Sequence, residues 1–112
     1  MENTLQTPYE LFGIECRGGW KHLYEPVIEA VNKWNEEHKD EEFPMEIMQI
    51  KEKYGTLRIY LNFYTDEISD MIDKAEEESY HTCEICGKHI DSPIDMGWIY
   101  PMCEKCFNKS KR

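Results

Sequence analysis

Four cysteines near the carboxyl end restrict the fold of this chain more than any other feature of its sequence. Cys83 and Cys86 form one C-x2-C pair, and Cys103 and Cys106 form a second pair after sixteen intervening residues. A two-residue gap lets both thiolates of a pair turn toward one metal ion, and the intervening segment is long enough for a hairpin that brings the pairs together. The spacing therefore predicts one Zn²⁺ held by four thiolates. Because four protein ligands leave no position for water or substrate, this zinc is expected to be structural.

Other interpretations of the cysteines are weaker. A disulfide framework is disfavoured in an intracellular chain, and an iron site of the rubredoxin type also uses four thiolates. A zinc deaminase needs H-x-E besides P-C-x-x-C, and no histidine in this sequence is followed two residues later by glutamate. His81 and His89 flank the first pair and are alternative ligands, although four cysteines in register favour a surface role for them. Cys16 has no partner in register and is expected to be a small buried apolar residue.

The segment that contains these cysteines, residues 81–112, is predicted to be a zinc finger and is called the finger below. Residues 88–102 are expected to form a hairpin, with turns at Ser92-Pro93 and at residues 95–97, and a short helix is expected to begin near Cys103. The order of knuckle, hairpin and helix resembles a treble-clef finger. A zinc ribbon that ends in a basic tail is the alternative.

Residues 1–80, called the body below, are predicted to form an α-β-β-α unit, so that the whole chain is of the α+β class. Large apolar residues recur at steps of three and four from Trp20 to Trp34, which predicts a helix that ends near His38. Pro26 predicts either a bend in this helix or a start near Glu25, and we favour the bend. The seven apolar residues are Trp20, Leu23, Tyr24, Val27, Ile28, Val31 and Trp34.

A second helix of the body is predicted to run from an N-cap at Thr65 to about Tyr80. Asp66 and Glu67 fall in its first turn, where their charges suit the helix dipole. The helix is expected to deliver the chain directly into the finger. Its apolar stripe consists of Ile68, Met71, Ile72 and Ala75.

Residues 45–63 change to the alternating pattern of a β-hairpin around Tyr54-Gly55. Paired positions sum to 109, so Lys51 is predicted to lie opposite Arg58. Because Tyr-Gly is not a preferred pair for a tight primed turn, a four-residue loop is expected. The face predicted to pack carries Met48, Ile50, Leu57, Ile59, Leu61 and Phe63, while Ile47 is the apolar exception on the polar face.

The polar face of this hairpin is a candidate ligand site. Like charges directly opposed across strands are destabilising unless a negative group lies between them. That group is either a carboxylate of this acidic protein or an anionic ligand, such as a nucleotide whose base stacks on a tyrosine ring. The candidate residues are Lys51, Lys53, Tyr54, Arg58 and Tyr60.

The charge of the chain is unevenly distributed. The 112 residues carry a net charge of −10, of which residues 1–80 hold 8 basic and 19 acidic side chains (−11) and residues 81–112 hold 5 and 4 (+1). This balance disfavours general affinity for nucleic acid, which needs aligned basic side chains. No apolar run is long enough to span a membrane, and residues 1–9 lack the features of a secretory signal, so a soluble cytoplasmic protein is expected.

Several motifs are specific in combination: Gly18-Gly19-Trp20, KEKYGTLRIY at residues 51–60, TCEICG at residues 82–87, and Gly97-Trp98. Together they resemble a family of small proteins found in phages and prophages, over roughly residues 18–107. That family has no established biochemical activity, so the resemblance implies a genetic context more than a mechanism. The context is that of an accessory protein of a mobile element, for which counteracting host immunity is one conceivable role. Two features depart from the family. Its second metal pair often ends in C-x-x-H, where Cys106 stands here, and the acidic loop at residues 36–42 is longer here.

The predicted function is that of a non-catalytic zinc protein that binds a protein partner. No nucleophile with its base, phosphate loop or open metal site is visible, so an enzyme is not expected. One alternative is a sponge that sequesters an anionic nucleotide on the basic hairpin face. Another is a nucleic-acid-binding finger that uses Lys88, Lys105, Lys109, Lys111 and Arg112.

Overall fold

Residues 14–40 and 43–110 are described by the structure, which is a computed structural model. The predictions for residues 1–9, for Glu41 and Glu42 of the acidic loop, and for Lys111 and Arg112 fall outside these ranges. The predicted α+β class, with a compact cluster of four cysteines at the carboxyl end, is confirmed. The elements in chain order are β1 (Ile14–Glu15), a 3-10 turn (Gly18–Trp20), α1 (Lys21–Glu37), β2 (Ile47–Lys53), β3 (Thr56–Leu61), α2 (Asp66–Ser79), β4 (Ile94–Asp95), β5 (Ile99–Tyr100) and α3 (Glu104–Ser110).

Helix α1 forms because its apolar residues repeat with the helical period. It begins at Lys21, so Pro26 lies inside the helix, and a start near Glu25 is wrong. Proline cannot donate the bond to the carbonyl of His22 four residues earlier, but both residues are exposed and that carbonyl can be solvated. The buried face of the helix and of the preceding turn consists of Trp20, Leu23, Tyr24, Val27 and Val31.

The hairpin β2–β3 closes through a two-residue loop, so the predicted four-residue loop is wrong. Lys53 pairs with Thr56, and Tyr54 and Gly55 have φ angles of 54° and 86°. Positive φ at both central residues matches the twist of the strands. A Cβ on Gly55 would overlap the side chain of Ile99 in the finger. The close approach of the finger therefore requires glycine at the turn.

The predicted register is confirmed near the turn and shifts by one residue at the far end. Gln49 pairs with Tyr60, and Lys51 pairs with Arg58, but Ile47 pairs with Leu61. The extra residue, Met48, forms a β-bulge that reverses the faces beyond it. Ile47 is consequently buried at 7% exposure, whereas Met48 is only half-buried. The predicted placement of these two side chains was wrong for this reason.

The sheet has three strands in the order β1-β2-β3, and β1 was not predicted. It pairs in parallel with β2, with Ile14 beside Ile50 and Glu15 beside Lys51. A strand of two residues is too short to show alternation in the sequence. Helices α1 and α2 pack against each other and against the sheet. The body core then consists of the helix residues named above with Met45, Ile47, Ile50, Leu57, Ile59, Leu61, Ile68, Ile72 and Ala75.

Helix α2 begins and ends at hydrogen-bonding side chains. The Thr65 hydroxyl accepts a bond from the Ile68 N–H at 3.2 Å, which confirms the predicted N-cap. At the other end Ser79 is fully buried, where its hydroxyl accepts from the Leu57 N–H at 2.8 Å. Part of the free edge of β3 is thereby covered. Within the described ranges, no helix combines the length and the apolar composition needed to cross a membrane.

Candidate metal centre

The finger brings its cysteines together through a knuckle, a hairpin and a helix. In the knuckle, Cys83 donates from its backbone N–H to the Lys88 carbonyl at 2.7 Å, and Gly87 donates to the Cys83 carbonyl at 2.9 Å. Gly87 takes a φ of 82°, which few residues other than glycine adopt. The hairpin β4–β5 follows, and α3 then carries Cys106 in its first turn. This order matches the predicted treble-clef arrangement, because the second cysteine pair lies at the start of a helix.

The four thiol groups have the spacing that a tetrahedral metal site requires. All four Sγ atoms lie within 4.8 Å of one another, and Cys86 Sγ lies 3.8 Å from Cys103 Sγ. Sulfur atoms that surround one zinc ion at about 2.3 Å stand about 3.8 Å apart in a regular tetrahedron. Disulfide sulfurs would be about 2.05 Å apart, and all four cysteines are free. The donor set therefore fits a single thiophilic ion.

Burial differs among the four clustered cysteines. Cys83 is fully buried and Cys103 is 8% exposed, whereas Cys106 is half-buried and Cys86 is exposed. The apolar support around them comes mainly from Ile90, with a few partly buried neighbours. An ion at this site would therefore lie near the protein surface, with one side against a small core.

The thiols differ in how readily they ionise. Burial raises the pKa of Cys83, but hydrogen bonds from the backbone N–H groups of Cys86, Cys103 and Ile85 outweigh it and lower the pKa to about 7. Burial and the bonds that the Cys106 thiol makes with the other three cysteines raise its pKa to about 12. Metal ligands must be thiolates, so metal binding would displace a proton from Cys106 at neutral pH.

The alternative ligands lie outside this cluster. His81 Nδ1 is 2.9 Å from the Asp91 carbonyl, and His89 Nε2 is 3.7 Å from the Asp91 carboxylate. Cys16 belongs to the body, packed against its core. Among residues 14–40 and 43–110, the four finger cysteines are the one group of three or more metal-binding side chains close enough to share an ion.

The sequence patterns did not reveal how the knuckle joins the body. The indole Nε1–H of Trp20 donates to the Thr82 carbonyl at 2.9 Å across 62 positions of sequence. The Gly19 N–H donates to the Glu84 carbonyl at 2.6 Å. Gly18-Gly19-Trp20 was visible as a motif, but nothing in the sequence indicated its distant partner. The division into body and finger stays a prediction, and these bonds connect its two parts.

Glu84 is a buried carboxyl within the same junction, at 8% exposure. One of its oxygens accepts a hydrogen bond from the Arg17 backbone N–H at 3.0 Å. Burial raises the pKa of Glu84, and nearby Glu52 adds to this effect, while the Arg17 hydrogen bond and guanidinium oppose it. The net direction is upward. Glu84 thus connects the knuckle to the chain before the 3-10 turn.

Carboxylates of the protein itself lie beside the basic hairpin face. Arg58 Nη2 is 3.7 Å from a carboxylate oxygen of Glu76 on α2, and Arg58 Nε donates to the Thr56 hydroxyl at 3.1 Å. Strand β1 places Glu15 beside Lys51. The Glu76 carboxylate supplies negative charge next to Arg58, while the Glu15 carboxylate accepts a hydrogen bond from Gln49 Nε2 at 3.1 Å on the same face. The structure therefore favours an internal counter-charge on this face.

The remaining candidates of the basic face lie at and near the turn. Lys53 Nζ lies 5.6 Å from the centroid of the Tyr54 ring, and Tyr54 is 74% exposed. Tyr60 is half-buried on β3. The binding of an anionic ligand by these residues stays a prediction.

Comparisons of the chain with protein-family models, with curated proteins and with solved structures found no match.

Proposed function

We propose that the protein is a non-catalytic binding protein in which one zinc ion holds the finger in its folded shape. The observation that carries this proposal is the convergence of four Sγ atoms within 4.8 Å of one another. Four thiolates satisfy tetrahedral Zn²⁺ and leave no open position for a substrate, so the ion acts structurally. Binding of zinc to such a site can contribute about 10–16 kcal/mol of apparent free energy to folding.

The size of the finger core supports the need for an ion. Among the described residues of the finger, the buried apolar cluster consists of Cys83, Ile90 and Cys103. Ordering each residue of a chain costs roughly 1–2 kcal/mol of backbone entropy, which the burial of so few side chains does not offset. The thiolate–zinc bonds, together with the hydrogen bonds from the finger to the body, supply the remaining stabilisation for a segment of this length.

We propose a protein partner with a basic surface. Helix α2 carries seven carboxylates and one lysine, and α1 carries four carboxylates and two lysines. Most of these carboxylates are exposed. A strongly acidic surface accelerates association with a basic partner and repels nucleic acid. The exposed members on α2 are Asp66, Glu67, Asp70, Asp73, Glu77 and Glu78.

The setting of this interaction is also a proposal. The resemblance of the sequence to phage and prophage proteins supports a role in the cytoplasm of an infected or lysogenic bacterium. A partner from host immunity fits an accessory protein that acts by binding. The acidic surface and the closed metal shell agree with this role, because the surface suits binding and the shell has no open position for catalysis.

The metal and ligand content tests the first part of the proposal. Native mass spectrometry of protein purified from a bacterial host should show the chain with one zinc ion and no retained small molecule. Replacement of the zinc by Co²⁺ should give the visible absorption of a tetrahedral thiolate site. A retained nucleotide would favour the sponge alternative, and a chain without metal would contradict the proposal.

The partner is tested by reversing charge on one helix at a time. Co-purification from phage-sensitive bacteria should recover a salt-sensitive partner with the wild-type chain and lose it with Asp70→Lys/Asp73→Lys on α2. The matched control reverses Glu25 and Glu29, two exposed carboxylates of α1. Equal retention of the partner by both variants would show that α2 is not the docking surface.

A further inference from the structure

The residues on both sides of the first metal ligand are bonded to the body. Thr82 accepts its hydrogen bond from the Trp20 indole, and Glu84 accepts from the Gly19 N–H. Cys83 lies between these two acceptors and is fully buried. The position of this ligand is therefore fixed by contacts with the body as well as by the knuckle.

The contact at Gly19 is made by backbone against backbone. A Cβ at this position would overlap the Cys83 carbonyl oxygen and lie 2.5 Å from the carbonyl carbon of Glu84. Real Cβ atoms essentially never approach other atoms so closely, and a carbonyl group cannot move away as a flexible side chain would. At Gly18, by contrast, a Cβ would meet nothing within 4 Å. Of these two neighbouring glycines, only Gly19 requires the absence of a side chain.

Trp20 connects the same junction to the core of the body. Its side chain is fully buried and belongs to the body core, while its indole N–H is bonded to the finger. A second contact joins the other half of the finger, where Ile99 of β5 packs against the Gly55 turn. Glu84 links the two halves, because its N–H donates to the Pro101 carbonyl at 2.7 Å, two residues before Cys103.

We propose that metal binding and docking of the finger on the body form one linked equilibrium, with Gly19 and Trp20 as positioning residues for the metal centre. The inference rests on the proposed zinc site. Linkage is reciprocal, so the factor by which docking strengthens metal binding is the factor by which metal strengthens docking. Loss of metal should therefore release the 3-10 turn of the body in addition to unfolding the finger. Metal availability would in this way regulate the shape of the body surface.

The first test follows the tryptophans of the full chain, which contains three. Their indole signals in ¹H–¹⁵N spectra can be assigned with single Trp→Phe variants and followed while a chelator removes zinc and zinc is added back. The Trp20 signal should move on removal and return with one equivalent of zinc. Trp34 is the internal control, since it stacks on His38 at the far end of α1 with ring centroids 4.1 Å apart. A Trp20 signal that stays unchanged without metal would overturn the inference.

The second test measures zinc affinity by competition with a chromophoric chelator. Groups that support metal ligands without touching the ion typically change affinity about 10- to 100-fold when altered. Gly19→Ala should weaken zinc binding by about this factor, whereas Gly18→Ala should bind as the wild type does. Trp20→Phe removes the indole donor and leaves a smaller ring in a fully buried position, and it should weaken zinc binding in the same direction by a smaller factor. It serves as the deciding variant if Gly19→Ala does not fold with zinc present.

The outcomes separate this inference from the proposed function. A wild-type chain that binds no zinc refutes the proposed metal site itself. A wild-type chain that binds zinc, together with Gly19→Ala and Trp20→Phe variants of unchanged affinity, refutes only the linkage. Weaker binding by both variants with normal binding by Gly18→Ala supports it.

Discussion

In the body, fourteen buried apolar side chains of the described residues form one core, whereas in the finger three do, and two of those are cysteines. The body can therefore fold by removing apolar surface from water, as domains of this size generally do. The finger has too little apolar surface for that route, and in the proposed function a bound zinc ion supplies its stability. The same chain thus combines two sources of stability, which different treatments should separate.

Among changes that separate the two regions, removal of a metal ligand should have the largest effect on stability. Cys83→Ser removes a buried thiolate, so we expect loss of the bound zinc and unfolding of the finger. Most of the apparent binding free energy that a structural zinc site contributes to folding, about 10–16 kcal/mol, should be lost with it. Zinc stoichiometry by mass spectrometry and amide hydrogen exchange would measure both effects.

Cys16→Ser is the matched control, because it removes a cysteine of the body and should leave one zinc ion bound. Hydrogen exchange should show lost protection throughout the finger in Cys83→Ser, with protection retained at the centre of the body sheet. Equal zinc content in both serine variants would contradict the assignment of the ligands.

A cavity in the body core should lower the stability of the body and leave the zinc bound. Leu61→Ala removes a side chain that is 6% exposed at the end of β3, so the free energy of unfolding should fall by about 2–5 kcal/mol while one zinc ion remains bound. Urea unfolding in excess zinc, followed by circular dichroism, would measure this loss.

The control for this cavity is Met96→Ala in the finger. Met96 is 67% exposed, so its truncation should change stability by no more than about 0.5 kcal/mol. If Leu61→Ala lowered the zinc content as well as the free energy of unfolding, the body and the finger would not have separate sources of stability.

The two regions also differ in what their sequence predicts. Periodicity and spacing within one segment of the sequence predict several features. These are the helix faces, the Thr65 cap, the pairing of Lys51 with Arg58 and the cysteine cluster. The bulge at Met48 was missed because one inserted residue leaves the composition of a strand unchanged. The tight turn was missed because Tyr54 takes a positive φ of 54° that few residues other than glycine, asparagine and aspartate adopt, and because the local sequence does not show the close approach of Ile99 to Gly55.

The junction shows the same limit more clearly. Gly19 and Trp20 are placed by contacts with Thr82 and Glu84, which lie more than sixty positions away along the chain. A single sequence does not report which distant backbone a glycine must approach. Residues that couple two regions are therefore harder to predict than residues that stabilise one region.

Acidic pH should weaken the finger before it affects the body core. The raised pKa of Cys106, about 12, keeps its thiol protonated near neutral pH in the metal-free chain, so zinc must displace at least this proton. Zinc affinity should consequently fall at least about tenfold for each unit by which the pH is lowered, and more steeply below pH 7, where Cys83 also becomes protonated.

This dependence can be measured by chelator competition at several pH values and by proton release into a weakly buffered indicator. The sign is fixed by the chemistry, because protons and metal compete for the same sulfur atoms. Affinity that is independent of pH between 6 and 8 would mean that the ligands are not thiols in the metal-free chain. The Leu61→Ala chain should show the same pH dependence of zinc binding, since its defect lies in the body.

The smallest effect concerns Cys16, the one cysteine outside the finger. Burial, with the negative charges of Glu84 and Glu52, raises the pKa of its thiol to about 12, so little thiolate forms at pH 8. Because the thiolate is the reactive form, iodoacetamide should modify Cys16 more slowly than it modifies free cysteine. Mass spectrometry of the zinc-loaded chain would measure this rate, with the four ligands protected by the metal. If Cys16 reacts as fast as free cysteine, the thiol is not held in its neutral form by the body. If removal of zinc accelerates the reaction, the junction that places Glu84 beside the body also shields this thiol.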